Sequence, residues 1–430
     1  MKKALALVMS LIMALSLGAC GQTGDSSSTV TSGGNADGLS GELTVWAWDL
    51  SLAYLSDVGE KFMEDNPGVT IHFEEMGTDQ VYNKLTTSLA SGVGLPDLVV
   101  IEGEQMSKFG GKFPDSFLDL TEEINPDDYL PIKVAEATTN GKILAYPWDA
   151  APNLMFYRTD MYEKAGIDPS TIKTWDDFIE AGIKVQDANP DVSMMPLATS
   201  RRDHIFRILM MQQGSFYFDE EGNSCMNTPE AIGAMELMKK MYDAGITADE
   251  TSWDDYVTKI AAGRFASVPD GIWMAGTIAD LAPEDAGKWG VMPMPQYDET
   301  TTGESSNGGS LLAIPATTEY PELAKAFAKY AMTDLDNLAY GLETYGFYPS
   351  YLPAFEMDVF ENGNDYLGGA KLNAMYSETA PNIPHVNYTV NFAEAMETSK
   401  NAVAKILLKN EDITATMDDL QDEFVAKFGQ

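Results

Sequence analysis

The sequence predicts an α/β fold organised on a parallel sheet, and three features lead there. Short apolar runs alternate with amphipathic segments of helical period. Gly, Pro and Asn punctuate the joins. The third apolar run is unbroken, as a strand buried on both faces should be. Strands alternating with helices imply crossover connections, and hence parallel pairing.

Leu43-Thr44-Val45-Trp46-Ala47-Trp48 reads as the first strand. Residues 52–64 follow as a helix, with Leu55, Val58 and Phe62 near helical spacing, and Asn66-Pro67-Gly68 breaks it. Residues 69–73 form the second strand, and residues 81–89 the second helix, stopped at Ser91-Gly92. Leu98-Val99-Val100-Ile101 is the third strand. In parallel sheets ligands lie beyond the carboxyl ends of the strands. That rule puts Trp48-Asp49 and Glu102-Gly103-Glu104 at the lining of a cleft.

The rest of the chain repeats the rhythm with more helix. Thr174 is an N-cap with Asp177 three residues on, so Trp175 packs at a helix start. Thr228-Pro229 opens a helix in which Ile232, Met235, Met238 and Met241 recur at three-residue steps until Gly245; these methionines read as core. Trp289-Gly290-Val291-Met292-Pro293 reads as a strand with Trp289 inside. Trp253, beside Asp254-Asp255, fits either core or surface. Pro321 opens a helix carrying Leu323, Phe327 and Tyr330. Val403, Ile406 and Leu407 mark a late helix, and Leu420, Phe424 and Phe428 the last.

The N-terminus reads as an export signal over residues 1–19: Lys2 and Lys3, an apolar run to Leu17, then Gly18-Ala19 before Cys20. The run is short for a membrane span. A cysteine at that point resembles the bacterial lipobox, which implies that Cys20 carries a diacylglycerol and anchors the protein to the outer face of the cell membrane. An ordinary signal peptide followed by an incidental cysteine is the alternative. Residues 20–40 are the lipidated cysteine and a Gly/Ser/Thr linker too polar to bury a core. Roughly 390 residues remain, enough for two lobes with their own cores.

Composition excludes several classes. Removing residues 1–19 lowers Lys+Arg from 27 to 25 against an unchanged 66 acids, so the net charge moves from −39 to −41. Such a surface repels nucleic acid. With Cys20 acylated, Cys225 has no partner and reads as an inert thiol. The three histidines, His72, His204 and His385, are scattered, so neither a metal site nor a cofactor is expected. No nucleophile elbow, His-Glu-x-x-His or phosphate loop occurs. A glycosidase needs two flanking carboxylates, and among 66 acids a chance pair carries no information.

The order of segments resembles the extracellular solute-binding proteins of ABC importers, in their maltose-binding-like branch for sugars. The stretches that carry it are Phe62-Met63-Glu64-Asp65-Asn66-Pro67-Gly68-Val69, Leu89-Ala90-Ser91-Gly92 before Pro96-Asp97-Leu98-Val99, and Gly141-Lys142-Ile143-Leu144-Ala145-Tyr146-Pro147. Phe156-Tyr157-Arg158-Thr159-Asp160 with Lys164-Ala165-Gly166-Ile167 and Lys173-Thr174-Trp175-Asp176-Asp177-Phe178 is the most specific, and Ala261-Ala262-Gly263-Arg264-Phe265-Ala266 before Gly271-Ile272-Trp273 closes the series. Trp148-Asp149 with Tyr157-Arg158 leans toward lactose- and arabinose-type members. The resemblance implies a two-lobe, type II periplasmic-binding-protein fold with the ligand cleft between lobes. One lobe would take residues 41–149 plus 308–353, the other 153–305 plus 356–430. It also implies a monomer that is not an enzyme, closes on a mono- or oligosaccharide by a hinge, and delivers it to the transmembrane subunits of an ABC importer. A polyamine or a glycerol phosphate ester is the alternative solute, and a surface glycoside hydrolase a more distant one.

A sugar site asks for flat aromatic faces against pyranose C–H groups and for polar groups that satisfy hydroxyls on closure. Trp46, Trp48, Trp148, Trp273 and Tyr345 are the candidate aromatics. Trp46 and Trp48 share a strand face, with Trp48 preferred because it adjoins Asp49. Asp49, Glu102, Glu104, Asp149, Arg202, Asp203, His204 and Asp270 are the polar candidates. Asn307 and Gly309 resemble a crossover loop that reaches the ligand, and Trp273 resembles the family's main stacking residue.

Overall fold

The computed structural model describes residues 38–429. The export signal, Cys20 and the linker up to residue 37 lie outside the described residues. The first strands and helices follow the sequence reading closely. β1 (Ser40–Ala47), α1 (Asp49–Asp65), β2 (Gly68–Glu75), α2 (Thr78–Ser91) and β3 (Leu98–Glu102) alternate without interruption. Asn66 ends α1 by donating its backbone N–H to the Phe62 carbonyl, and Gly92 ends α2 in the left-handed region at φ +70°. α1 begins three residues earlier than its apolar period suggests, because Trp48 serves as its N-cap and Asp49 takes φ +42°.

β1 pairs in parallel with β2 on one side and β3 on the other. The chain therefore reverses its direction of travel across the sheet between β1 and β3, and a crevice opens there. α3 (Gly103–Lys112) and α4 (Pro131–Ala137) follow β3, then β4 (Ala145–Pro147). The sheet is completed from a distant part of the chain, with final order β2-β1-β3-β8-β4, where β8 is Ser310–Ala313 and runs antiparallel to both neighbours. Its core joins Leu43, Val45, Leu98, Val100 and Leu312 to Tyr54, Phe62 and Phe327.

The second sheet departs from the expectation of parallel pairing. β5 (Asn153–Arg158) lies between β6 (Ser267–Gly271) and β7 (Trp289–Pro293), antiparallel to both. Many helices separate β5 from β6, and so long a connection leaves strand direction unconstrained, unlike a single crossover helix. One side of this lobe is a Met-rich core in which Trp175, Phe178, Met235, Met238, Met241 and Phe424 pack. The other holds Phe156, Tyr256, Trp289 and Tyr376. The predicted capping box is present: the Thr174 hydroxyl accepts from the Asp177 N–H, and the Asp177 carboxylate accepts from the Thr174 N–H at 2.9 Å.

Three stretches of chain pass between the sheets side by side. Ala150 N–H donates to the Tyr348 carbonyl at 3.0 Å, Ser350 N–H to the Trp148 carbonyl at 2.8 Å, and Asn307 N–H to the Ala151 carbonyl at 3.0 Å. Few residues cross, and they are mutually hydrogen-bonded, which is how a hinge can bend without losing its backbone partners. Gly309 sits in this bundle at φ +96°, and a Cβ there would stand 2.6 Å from the Asp149 carbonyl oxygen. Only glycine fits that position.

Candidate binding cleft between the two lobes

A cleft of about 1130 Å³ opens where the two lobes face each other. The first lobe supplies Trp48 after β1, Glu102 at the end of β3 and Glu104 at the start of α3. The crossovers supply Asp149, Asn307 and Gly309. The second lobe supplies Trp273, together with Trp253 at the start of the helix Trp253–Ala261. Tyr345 and Phe347 close one end.

Several of these side chains are held by hydrogen bonds, ion pairs or ring contacts. The Tyr82 ring meets Trp48 edge-on at 6.0 Å, and its hydroxyl donates to the Glu102 carboxylate at 2.8 Å. Burial, with the neighbouring Glu104 charge, raises the Glu102 carboxyl from its ordinary 4.5 to about 7, while the Tyr82 bond and Lys133 pull against that rise. Glu104 is paired across the lobes with Arg207 at 3.3 Å. Burial also raises Asp149, although Lys133 and the Ser310 N–H, 2.7 Å from its carboxylate, favour the charged form.

Trp273, on the second lobe's side of the cleft, is held at its indole nitrogen. Its indole N–H donates to the Asn307 carbonyl at 3.0 Å. The Asn307 amide in turn donates to Asp270 at 2.8 Å. Asp270 is fully buried, and its second oxygen accepts from the Tyr256 hydroxyl at 2.9 Å and from Arg202 at 3.4 Å. The Gly271 N–H fills the remaining site on the first oxygen at 2.9 Å, so Asp270 positions Asn307 and Trp273 and leaves no lone pair for a ligand. Gly271 makes this possible: a Cβ there would lie 2.3 Å from the indole nitrogen. Trp253 stands beside Trp273, ring centroids 6.0 Å apart and tilted by 46°. Half-buried Trp273 and exposed Trp253 together offer two flat faces to the cleft.

Of the residues singled out from sequence, Trp48, Glu102, Glu104, Asp149, Trp273, Asn307, Gly309 and Tyr345 are brought together on the cleft wall. Tyr345 offers its ring; its hydroxyl donates to Asp57. Asp49 is exposed between lining residues Trp48 and Leu50 but does not itself line the wall. Trp46 and Trp148 are placed elsewhere, each 2 % exposed. Trp148 packs on Phe347 at 4.9 Å and Tyr54 at 5.4 Å, and Lys84 covers the Trp46 ring at 3.8 Å. Arg202, Asp203 and His204 also stand behind the wall. Arg202 pairs with Glu250 at 2.6 Å, Asp203 accepts from the Tyr217 hydroxyl, and His204 is held neutral by burial and by three neighbouring arginines. Arg202 and Asp203 are neutralised by partners inside the lobe, where a buried unpaired charge is costly.

Sequence reasoning missed Asp280, Glu343, Asn362, Asn364, Asp365 and Asn373 on the wall. The run Asn362-Gly363-Asn364-Asp365 was a visible turn signal, but nothing in it says which way the loop faces.

Comparison with known proteins agrees with this architecture. Residues 48–334 match the family of bacterial extracellular solute-binding proteins. A lactose-binding protein of Rhizobium radiobacter is 29 % identical over 394 residues, covering 90 % of this chain and 92 % of that one. An arabinooligosaccharide-binding protein of Bacillus subtilis is 28 % identical over 344 residues, covering 77 % and 76 %. Among solved structures, an ABC transporter associated binding protein from B. animalis subsp. lactis, in complex with beta-1,6-galactobiose, superposes with a TM-score of 0.74 at 24 % identity, covering 90 % and 97 %. With its two α/β lobes, three crossovers and interlobe cleft, the chain belongs to the bacterial extracellular solute-binding protein family and has the type II fold.

Proposed function

We propose that the protein captures an oligosaccharide in the interlobe cleft and hands it to the transmembrane subunits of an ABC importer, as a binding protein and not as an enzyme. The observation that carries this reading is the pair of neighbouring indoles, hydrogen-bonded Trp273 and Trp253 packed beside it, on the wall opposite the acceptor groups. Flat indole faces suit the C–H surface of a pyranose, and carboxylates and amides suit its hydroxyls. The cleft, at about 1130 Å³, exceeds the 300–1,000 Å³ usual for small-ligand pockets, which favours several sugar units over one. The names of the lactose- and arabinooligosaccharide-binding relatives support the same class. A thermal-shift screen of oligosaccharides against polyamines tests it. An oligosaccharide should raise the melting temperature; a shift with polyamines alone overturns the sugar reading.

The lobes, bounded at residues 41–149 plus 308–353 and 153–305 plus 356–430, close on the sugar about the crossovers. Small-angle scattering should report a smaller radius of gyration at saturation, and an unchanged radius would remove the hinge. Acylated Cys20 holds the protein at the outer membrane surface. Among the described residues no helix is long and apolar enough to cross a membrane. Cys20→Ala should leave folding intact and release the protein from the membrane fraction; a variant that still sediments with membranes contradicts the anchor.

A further inference from the structure

We propose that the cleft selects its ligand by charge, admitting neutral and amino-bearing saccharides and excluding uronates and sugar phosphates. The inference rests on the sugar reading above and goes beyond it.

The wall carries six carboxylates, Glu102, Glu104, Asp149, Asp280, Glu343 and Asp365, and no Lys, Arg or His side chain. Arg202, Arg207 and Lys133 stand behind it and are already engaged, Arg202 with Glu250 at 2.6 Å. Arg207 pairs with Glu104 at 3.3 Å and with Asp203 at 3.3 Å. Lys133, itself buried, pairs with Glu136 and faces Asp149. Among the described residues, Asp280, Glu343 and Asp365 have no ion-pair partner, and all three are exposed along the rim. Glu102 stands deeper, held by Tyr82.

The consequences differ by ligand charge. A hydroxyl can donate to each of these oxygens, so a neutral sugar satisfies the wall. An ammonium on the sugar would gain a charge-assisted bond. A carboxylate or phosphate on the ligand would enter a partly desolvated space with no cation to pair with and several like charges within reach. Like charges a few ångströms apart repel strongly in such a partly buried site. The wall's side-chain donors are neutral amides, hydroxyls and indoles, Asn362, Asn364, Thr277 and Thr344 among them, and none brings a positive charge against a ligand anion.

The test is calorimetric titration with a matched triplet. The neutral oligosaccharide with the largest thermal shift is compared with its C6-oxidised uronate and its 6-amino-6-deoxy form, at pH 7.5 in low salt. The uronate should bind at least roughly thirtyfold more weakly and the amino form within about threefold of the neutral sugar, or tighter. Raising the salt to 0.5 M should narrow the uronate gap, because rim charges are screened. A gap caused only by loss of the C6 hydroxyl would not respond to salt. Asp280→Lys combined with Glu343→Lys should raise the uronate-to-neutral affinity ratio by at least about fivefold. A uronate that binds as tightly as the neutral sugar, or a gap indifferent to salt and to the lysine pair, overturns the charge rule and leaves the sugar reading standing. Binding of spermidine with no saccharide overturns the sugar reading and leaves the charge rule standing.

Discussion

The two lobes build their halves of the cleft by different means. The first presents strand ends: Trp48 follows β1 and Glu102 closes β3, on either side of the point where the sheet reverses its strand order. The second presents helix starts: Trp253 is the first residue of its helix, and Trp273 immediately precedes Met274–Leu281. Strand ends in a parallel sheet are fixed by the backbone, so that wall is rigid before any side chain is considered. The helix-start wall depends on side-chain anchors, chiefly the chain from Asp270 through Asn307 to the Trp273 indole. One wall is given by topology and the other by hydrogen bonding.

If each lobe has an independent core behind its wall, losing a buried indole should destabilise either one strongly. Trp148→Ala empties the aromatic cluster of the first lobe, and Trp175→Ala that of the second, where the indole also donates to Gln212 at 2.9 Å. Each should lose about 3–5 kcal/mol. Denaturant melts read both, and an unchanged midpoint in either variant would remove that lobe's core from the account.

The smaller effect lies where the walls meet. Arg207→Met leaves Glu104 and Asp203 without their shared cation. A loss of about 3 kcal/mol is expected, the low end of the cost of removing one partner of a buried ion pair, because Glu104 keeps some contact with solvent. A double-mutant cycle with Glu104→Gln should show coupling; strict additivity would mean that the interlobe pair contributes nothing.

The smallest effect is one of pH. Glu102 carries its proton to about pH 7 when folded but only to about 4.5 when unfolded. The folded state therefore binds more protons between those values, and stability falls as pH rises across that window. Burial and the charges of Glu104 and Asp79 drive this, against Lys133 and the Tyr82 hydroxyl. Glu102→Gln should flatten the slope of stability between pH 4.5 and 7. A slope identical to that of the parent protein would contradict the raised carboxyl.

The same contrast explains what could be read from sequence. β1 to β3 and their helices were legible because propensity, period and turn residues agree there, and the strand-end rule then located Trp48, Glu102 and Glu104. Antiparallel pairing of β5 with β6 and β7 was not legible, because strand direction across a long insertion leaves no local signal. Trp46 and Trp48 share a face by alternation, yet one is core and the other cleft, since the wall begins only where the strand leaves the sheet. Arg202, Asp203 and His204 form an eye-catching charged run, but burial turns it inward to Glu250, Tyr217 and Asp270. Burial of a polar cluster is decided by tertiary packing that a single chain of letters does not encode locally.

Trp273→Ala, measured by calorimetric titration with the sugar found in the screen and by melting temperature on the same sample, tests the central claim most directly. A half-buried indole facing the cleft should give up about 2–4 kcal/mol of binding, or roughly thirty- to a thousandfold in affinity, with the melting temperature of the free protein nearly kept. Near-normal affinity together with a large fall in melting temperature would contradict it.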